Sequence, residues 1–253
     1  MNSHTFPILF RHYLRRCTRD PFTLFIFVAL PVLITGILSF IYSRNPSEEI
    51  YANGFNMVAT HLSIHMMLLF QLNGGLYLLN YLHADLFRPM KWRLKATPCE
   101  THVAVLAAAF SCTIFTTLQG MLIVGFTSWF FDAYWGNLWI TALTVLLTSL
   151  ISQMLCMLLL LLTRSAGTAE GISWTLSTVM AVFGGMMFSL PDNAFFRFIQ
   201  TYGTPYSLAR HAILESGFLA ASTTGIWVFL AGLLGILALL CLIAVPMGRR
   251  KLS

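Results

Sequence analysis

Six long apolar runs, separated by short polar segments, are the dominant pattern of this chain. Each is close to the roughly 20 residues that a helix needs to cross the hydrocarbon core of a bilayer. The runs cover about 22–42, 56–80, 103–128, 137–162, 171–190 and 226–246. Because the bilayer core holds no water to satisfy backbone N–H and C=O groups, all six are predicted to be helices, the first kinked at Pro31. The pattern predicts an all-α integral membrane protein, with residues 1–253 in a single transmembrane domain.

The N-terminal segment, residues 1–20, precedes the first run and has a different pattern. On a helical wheel its apolar side chains share one arc and its arginines share the opposite arc. The apolar arc holds Phe6, Leu9, Phe10, Tyr13, Leu14 and Cys17, and the basic arc holds Arg11, Arg15, Arg16 and Arg19. This distribution is typical of an amphipathic helix in the membrane interface, with apolar side chains in lipid and arginines among phosphates. A helix that also contacts a cytoplasmic partner is the alternative.

Composition and charge support a membrane protein and indicate its orientation. Only 9% of the residues are charged, against about 25% in soluble domains. The net charge of +6 does not indicate nucleic-acid binding, because the basic residues lie between the apolar runs. If both termini are cytoplasmic, the Lys and Arg residues outside are only Arg44, Arg197 and Arg210, of 15 in all. The positive-inside rule therefore predicts cytoplasmic termini and a multi-pass protein of a cell membrane, bacterial inner or plasma membrane.

The predicted spans contain no Asp, Glu, Lys or Arg, and their polar side chains are few. His61 and His65 are four residues apart, so they share a helix face, but two ligands without a third make a weak metal site and none is predicted. A place on a pathway or at a helix interface fits the two histidines better. Gln71 and Asn73 likewise either line a pathway or join helices by hydrogen bonds. An ion-coupled carrier or channel that uses His61 and His65 is the alternative function.

No motif in the chain predicts an enzyme. There is no Gly-x-Ser-x-Gly elbow, no acidic pair suited to proton transfer, and no Gly-Lys pair that a phosphate-binding loop requires. The chain is therefore not expected to bind a cofactor or to hydrolyse ATP by the usual phosphate-loop route. If it transports actively, the energy must come from another polypeptide.

The loop between the second and third runs, residues 81–102, is more structured than a plain turn requires. Thr97 stands three residues before Glu100 and just before Pro98, which predicts a capping box at the start of the third helix. Upstream, Pro89 can open a short helical turn with apolar and basic side chains. Those side chains are Arg88, Met90, Lys91, Trp92, Arg93, Leu94 and Lys95. The loop is either a positive-inside connection with an interfacial tryptophan or a docking surface for a partner.

Four segments together resemble the membrane subunit of type-2 ABC exporters, and they extend over nearly the whole chain. They are the basic N-terminal helix with "RDPFTLFIFVALP" (19–31), "LKATPCETHVAVLAAAF" (94–110), "GGMMFSLP" (184–191) and "TYGTPYSLARHAI" (201–213). Their order and spacing among six apolar runs carry the resemblance. It implies a permease that moves a hydrophobic or amphipathic compound, such as a drug, an antibiotic, a lipid or a glycolipid.

The resemblance also implies partners and site residues. Two permease subunits, identical or paralogous, would pair in the lipid bilayer, and each would rest on a cytoplasmic ATPase that binds ATP and magnesium. The coupling residues would be Asp85, Arg88, Pro89, Lys91, Trp92, Arg93, Leu94, Thr97, Pro98 and Glu100, beside the N-terminal helix. The family's loop is usually rich in glutamate and has a glycine where Pro89 stands, so the partner ATPase would be a dedicated one.

The segment 191–225, between the fifth and sixth runs, is too short and interrupted for a pair of spans. The sequence Gly203-Thr204-Pro205 is predicted to divide two short helices. In the family such helices re-enter the outer face of the membrane and help to close the exit. The resemblance therefore implies an extracytoplasmic gate that includes Pro191, Gly203 and Pro205.

Overall fold

Helices dominate the structure, a computed structural model that describes residues 5–19, 21, 25–42, 51–52, 55–87, 101–186, 191–217 and 223–252. The helices are α1 (Thr5–Thr18), α2 (Leu30–Tyr42), α3 (Met57–Asn73), α4 (Leu76–Leu82), α5 (Thr101–Phe131), α6 (Leu138–Thr163), α7 (Ala166–Phe183), α8 (Ala194–Phe198), α9 (Pro205–Glu215) and α10 (Thr223–Leu252). Three π-helical turns, Phe25–Ala29, His83–Phe87 and Ile199–Gly203, adjoin α2, α4 and α8. The strands β1 (Tyr51–Ala52) and β2 (Phe55–Asn56) form a small antiparallel hairpin before α3.

The predicted all-α membrane architecture is confirmed. Among the described residues, four helical stretches are long and apolar enough to cross a membrane. They are Met57–Phe87, Thr101–Phe131, Leu138–Thr163 and Gly225–Gly248, and a shorter apolar helix covers Phe25–Ile41. The predicted fifth span, 171–190, is displaced in the structure, because its helix α7 begins at Ala166 and ends at Phe183.

Two of the spanning helices are distorted at residues that disrupt regular α-helix. Pro31 has no N–H to donate one turn back, and the π-helical turn Phe25–Ala29 immediately precedes it. The second span is interrupted at Gly74–Gly75, between α3 and α4. Ser152 of α6 occupies this break: its hydroxyl accepts from the Gly75 N–H (2.7 Å) and donates to the Leu72 carbonyl (2.6 Å). A Cβ at Gly75 would overlap the Ser152 backbone, so this close approach requires glycine.

The buried side chains form two cores stacked along the spans. The core toward the predicted outer side joins α3, α6, α9 and α10, and its members include Ile64, Met67, Leu68, Ile151, Tyr206, Ile213 and Leu233. The core toward the predicted cytoplasmic side joins α1, α4, α5 and the start of α7, and its members include Tyr13, Cys17, Leu78, Leu79, Cys112 and Ala169. Large apolar side chains such as Leu122, Trp129, Trp139 and Leu242 remain on the outside, where lipid would cover them.

Candidate functional site

The N-terminal helix α1 packs on protein and not only on lipid. The Ser111 hydroxyl of α5 donates a hydrogen bond to the Phe10 carbonyl at 2.9 Å, and the Cys17 and Cys112 sulfurs are 3.9 Å apart. Tyr13 and Cys17 are therefore buried. The prediction that the whole apolar arc lies in lipid is wrong for these two residues, because α5 supplies an apolar wall at the same place.

Tyr13, Arg16, Tyr81 and Asp85, which we call the inner junction, join α1 to the cytoplasmic end of the second span. Asp85 lies in the π-helical turn His83–Phe87 and is buried. Its Oδ2 accepts a hydrogen bond from the Tyr13 hydroxyl at 2.8 Å. Both of its carboxylate oxygens lie 3.2 Å from Nη1 of Arg16. The guanidinium carbon of Arg16 lies 4.4 Å from the centre of the Tyr81 ring.

The charges of the inner junction compensate one another. The carboxylate of Asp85 faces the guanidinium of Arg16, which in turn faces the negative face of the Tyr81 ring. Burial and the neighbouring Asp85 carboxylate raise the pKa of the Tyr13 phenol above its ordinary range. Tyr13 therefore stays protonated near neutral pH and donates to Asp85.

The three arginines of α1, and Arg19 just after it, do not share one environment. Arg11, Arg15 and Arg19 are exposed, as expected of side chains that reach lipid phosphates. Arg16 is half-buried and paired with Asp85, so the prediction that it lies among phosphates is wrong. A buried carboxylate attracts this one arginine, and the helical wheel carries no information about that carboxylate.

Apart from Asp85, the predicted coupling residues lie outside the described part of the chain. They are Arg88, Pro89, Lys91, Trp92, Arg93, Leu94, Thr97, Pro98 and Glu100. The described chain resumes at Thr101, the first residue of α5. Asp85 of the inner junction lies in the turn His83–Phe87, which directly precedes the undescribed residues 88–100 of the predicted coupling loop.

Gln71 and Asn73, two of the predicted pathway residues, lie inside the helix bundle near the break in the second span. The amide nitrogen of Gln71 donates to the Thr116 carbonyl at 3.2 Å and also contacts the Ser149 hydroxyl. The amide nitrogen of Asn73 donates to the Leu69 carbonyl of its own helix at 2.9 Å. For Gln71 this geometry favours the alternative of hydrogen bonds between helices. A pathway role for either residue stays a prediction.

His61, His65, Tyr206 and Arg210, which we call the outer cluster, lie near the predicted outer end of the second span. The ring centres of His61 and His65 are 6.4 Å apart, and those of His65 and Tyr206 are 6.0 Å apart. Arg210 is one turn beyond Tyr206 on α9. In the described part of the chain, no group of three or more His, Cys, Asp or Glu side chains could hold a metal ion.

The segment beyond α7 contains the predicted gate residues. Pro191 is exposed and precedes α8, Gly203 ends the π-helical turn, and Pro205 is the first residue of α9. The Thr204 side chain caps α9 by accepting from the Ser207 N–H at 3.0 Å. Two short helical segments thus lie on either side of 203–205, as predicted; their part in a gate stays a prediction.

Two of the segments that carry the family resemblance, 184–191 and 201–213, contact each other at the predicted outer end of the subunit. The Arg210 guanidinium donates to the Gly184 carbonyl at 2.9 Å. The Tyr206 ring lies so close to Gly184 that a Cβ there would overlap it. Sequence reasoning did not find Tyr206 and Arg210 as site residues. Their spacing of four residues and the rarity of arginine on the predicted outer side were the available signals.

The comparisons with known proteins agree with this architecture. Residues 4–216 match the ABC-2 type transporter family, which is most of the chain. No match was found among curated proteins. The match covers α1, the second span and its cytoplasmic end, and the segment through α9. The chain belongs to the ABC-2 type transporter family and is a membrane-spanning permease subunit.

Proposed function

We propose that this permease subunit exports a hydrophobic or amphipathic compound and is driven by a separate cytoplasmic ATPase. Two subunits, identical or paralogous, would pair to form the translocation pathway. ATP and magnesium would bind to the ATPase, because this chain has no phosphate-binding loop. The few polar side chains that its spans expose, together with their extensive apolar surface, suit an amphipathic cargo.

The inner junction is the observation that carries this proposal. A partner that moves the loop 88–100 would pull on the π-helical turn His83–Phe87, which immediately precedes it. Through Asp85, the same pull would reach Tyr13 and Arg16, so that α1 would move with the second span. The tie consists of one hydrogen bond from a neutral donor and one ion pair, both to the same carboxylate. A movement at the cytoplasmic surface would thus be transmitted to two helices.

Export would follow from closure of the two ATPases. As ATP closes them, the two coupling loops would approach each other and the spans would shift. Cargo would then leave between the first, second and fifth spans of the paired subunits. The short helices α8 and α9, with Pro191, Gly203 and Pro205, would form the gate at the outer side.

Co-purification tests the proposed docking surface. The variant carries Trp92→Asp and Leu94→Asp, which place charge on the predicted apolar face of the loop 88–100. The control carries Arg164→Asp and Ser165→Asp at the other short cytoplasmic turn, between α6 and α7, where both residues are exposed. Aspartate is tolerated there, because Ser165 is a helix N-cap and Arg164 has the left-handed φ of 56° that Asp readily adopts.

We expect an ATPase to co-purify with the wild-type chain and with the control, but not with the Trp92 and Leu94 variant. ATP-dependent transport by membrane vesicles should be lost in parallel. Equal ATPase recovery with both variants would refute docking at this loop. If the wild-type chain recovers no ATPase and ATP never drives transport, the export proposal fails as a whole.

A further inference from the structure

The outer cluster consists of two polar pairs on facing helices. His61 and His65 are one turn apart on α3, and Tyr206 and Arg210 are one turn apart on α9. The His65 and Tyr206 rings, with centres 6.0 Å apart, are the point where the two pairs meet. Tyr206 is completely buried and His65 is 9% exposed, whereas His61 and Arg210 are half-buried. The cluster is therefore buried at Tyr206 and His65 and partly exposed at His61 and Arg210.

Among the residues that the structure describes, three polar atoms of this cluster have no hydrogen-bond partner. They are Nε2 of His65, the hydroxyl of Tyr206 and Nε of Arg210, and all three are buried. Each of these groups can donate a hydrogen bond. A buried donor without an acceptor costs about 1–3 kcal/mol, and most buried polar groups in proteins are paired. Three such donors in one cluster indicate an acceptor that arrives with a ligand.

The positive charge of Arg210 has no acidic partner among the described residues. The described residues form the ion pairs Arg16–Asp85 and Arg197–Asp192, and neither pair includes Arg210. Within the described residues, the Arg210 guanidinium donates to one acceptor, the Gly184 carbonyl. The two histidines supply no negative charge. An anion would therefore satisfy both the free donors and the buried cation.

A phosphate group is the anion that fits this arrangement best. The donors come from two helices and from three side chains, which suits the three or four oxygens of a tetrahedral anion, and arginine favours phosphate. His61 and His65 lie about 6 and 12 Å along the helix from Met57, at 1.5 Å per residue. With the start of α3 at the outer surface, the first depth falls near the boundary between headgroups and acyl chains of the predicted outer leaflet, and the second falls just inside the acyl region.

We propose that His61, His65, Tyr206 and Arg210 form a binding site for the phosphate group of an amphiphile at the outer end of the subunit. In this site the Arg210 guanidinium and the His65 and Tyr206 donors bind the phosphate oxygens, and His61 borders the open side. The inference does not depend on ATP coupling, since it concerns binding to this chain alone.

Equilibrium binding to the purified full-length chain in phosphate-free detergent tests the site. The probes are dihexanoylphosphatidylglycerol, dihexanoylglycerol, which lacks the phosphate, and sodium phosphate. We expect the phospholipid to bind and the diacylglycerol not to bind. Arg210→Gln should weaken phospholipid binding about tenfold or more, because it removes a charge-assisted contact. Tyr206→Phe, which removes only a hydroxyl and preserves packing, should weaken it about three- to tenfold.

The matched control is Arg197→Gln, which removes an arginine from the same outer segment. Arg197 is exposed and paired with Asp192 at 3.0 Å, so its removal should leave the phospholipid Kd unchanged.

Competition by sodium phosphate distinguishes the two sources of the phosphate group. If sodium phosphate competes with the phospholipid and its binding depends on Arg210 in the same way, the natural ligands include free phosphate. If it does not compete, the natural ligand is a lipid-like amphiphile. Equal Kd values for the Arg210 and Arg197 variants, or equal binding of the phospholipid and the diacylglycerol, would overturn the proposal. Should Arg210→Gln not elute as a folded protein, Tyr206→Phe decides the question alone.

Discussion

The inner junction and the outer cluster solve the same problem of a half-buried arginine in opposite ways. At the inner junction, Arg16 has the buried carboxylate of Asp85, which also accepts from Tyr13. At the outer cluster, Arg210 has one backbone carbonyl as its acceptor in the described part of the chain, and the donors around it are unpaired there. A compensated charge fastens helices together, whereas an uncompensated charge costs stability and attracts a ligand. The first arrangement serves as a mechanical tie and the second as a binding site.

Removing the shared carboxylate should give the largest effect on stability. We expect Asp85→Ala to lower the free energy of unfolding by about 3 kcal/mol. This value is near the low end of the cost of removing one partner of a buried ion pair, because the Arg16 side chain is 32% exposed. Denaturant unfolding of the purified protein measures this change. Asp192→Ala, which breaks the exposed pair with Arg197, is the matched control and should change stability by less than about 1 kcal/mol. Equal effects of the two substitutions would contradict the inner tie.

A methyl group between α7 and α9 should give the next largest effect. Gly184→Ala places a Cβ against the Tyr206 ring, and such overpacking typically costs about 1–3 kcal/mol. Gly235→Ala on α10 is the control, because a Cβ there meets nothing within 4 Å. Thermal unfolding compares the two. If the Gly184 variant is as stable as the Gly235 variant, Tyr206 is not held against α7 as described.

Removing one donor of the inner junction should have a smaller effect, with a defined pH dependence. Tyr13→Phe removes a hydrogen bond while Asp85 keeps Arg16, so we expect a loss of about 1 kcal/mol. Because folding raises the pKa of Tyr13 above its ordinary value of 10.0, the contribution of the hydroxyl is present below pH 10 and is lost as the pH rises further. The stability difference between wild type and variant should stay constant from about pH 7 to 9 and fall above pH 10. A difference that changes steadily across pH 7 to 9 would contradict this assignment.

The smallest effect on stability is expected at the outer cluster. Arg210→Gln loses one hydrogen bond to Gly184 but relieves an uncompensated charge, so the two contributions nearly cancel, within about 1 kcal/mol. The same unfolding measurement, made without added phospholipid, checks this value. A loss as large as that of Asp85→Ala would mean that Arg210 is a structural residue, like Arg16.

Hydropathy was sufficient to predict the four long apolar helices and the shorter one over Phe25–Ile41, because crossing a bilayer imposes length and apolarity directly on the sequence. It was insufficient for the break at Gly74–Gly75, which depends on the approach of Ser152 from another helix. Hydropathy also did not predict the end of α7 at Phe183, because apolar residues continue beyond it in the sequence.

The site residues were predictable only as far as they share one helix. The spacing of His61 and His65 is visible in the sequence, and so is that of Tyr206 and Arg210. That these two pairs face each other is a property of tertiary packing. Likewise, the helical wheel found the apolar face of α1, but lipid and a neighbouring helix are equally apolar. It therefore could not reveal that α5 covers Tyr13.

We propose that Asp85 makes α1 follow the second span when a partner ATPase moves the coupling loop. Backbone hydrogen exchange of the complex with a co-purified ATPase, with and without ATP, measures this movement. ATP should change the exchange of both 5–18 and 83–87 in the wild-type complex. In Asp85→Ala the change should persist at 83–87 and disappear at 5–18. An ATP response of 5–18 that is absent in the wild type, or undiminished in the variant, would contradict the account.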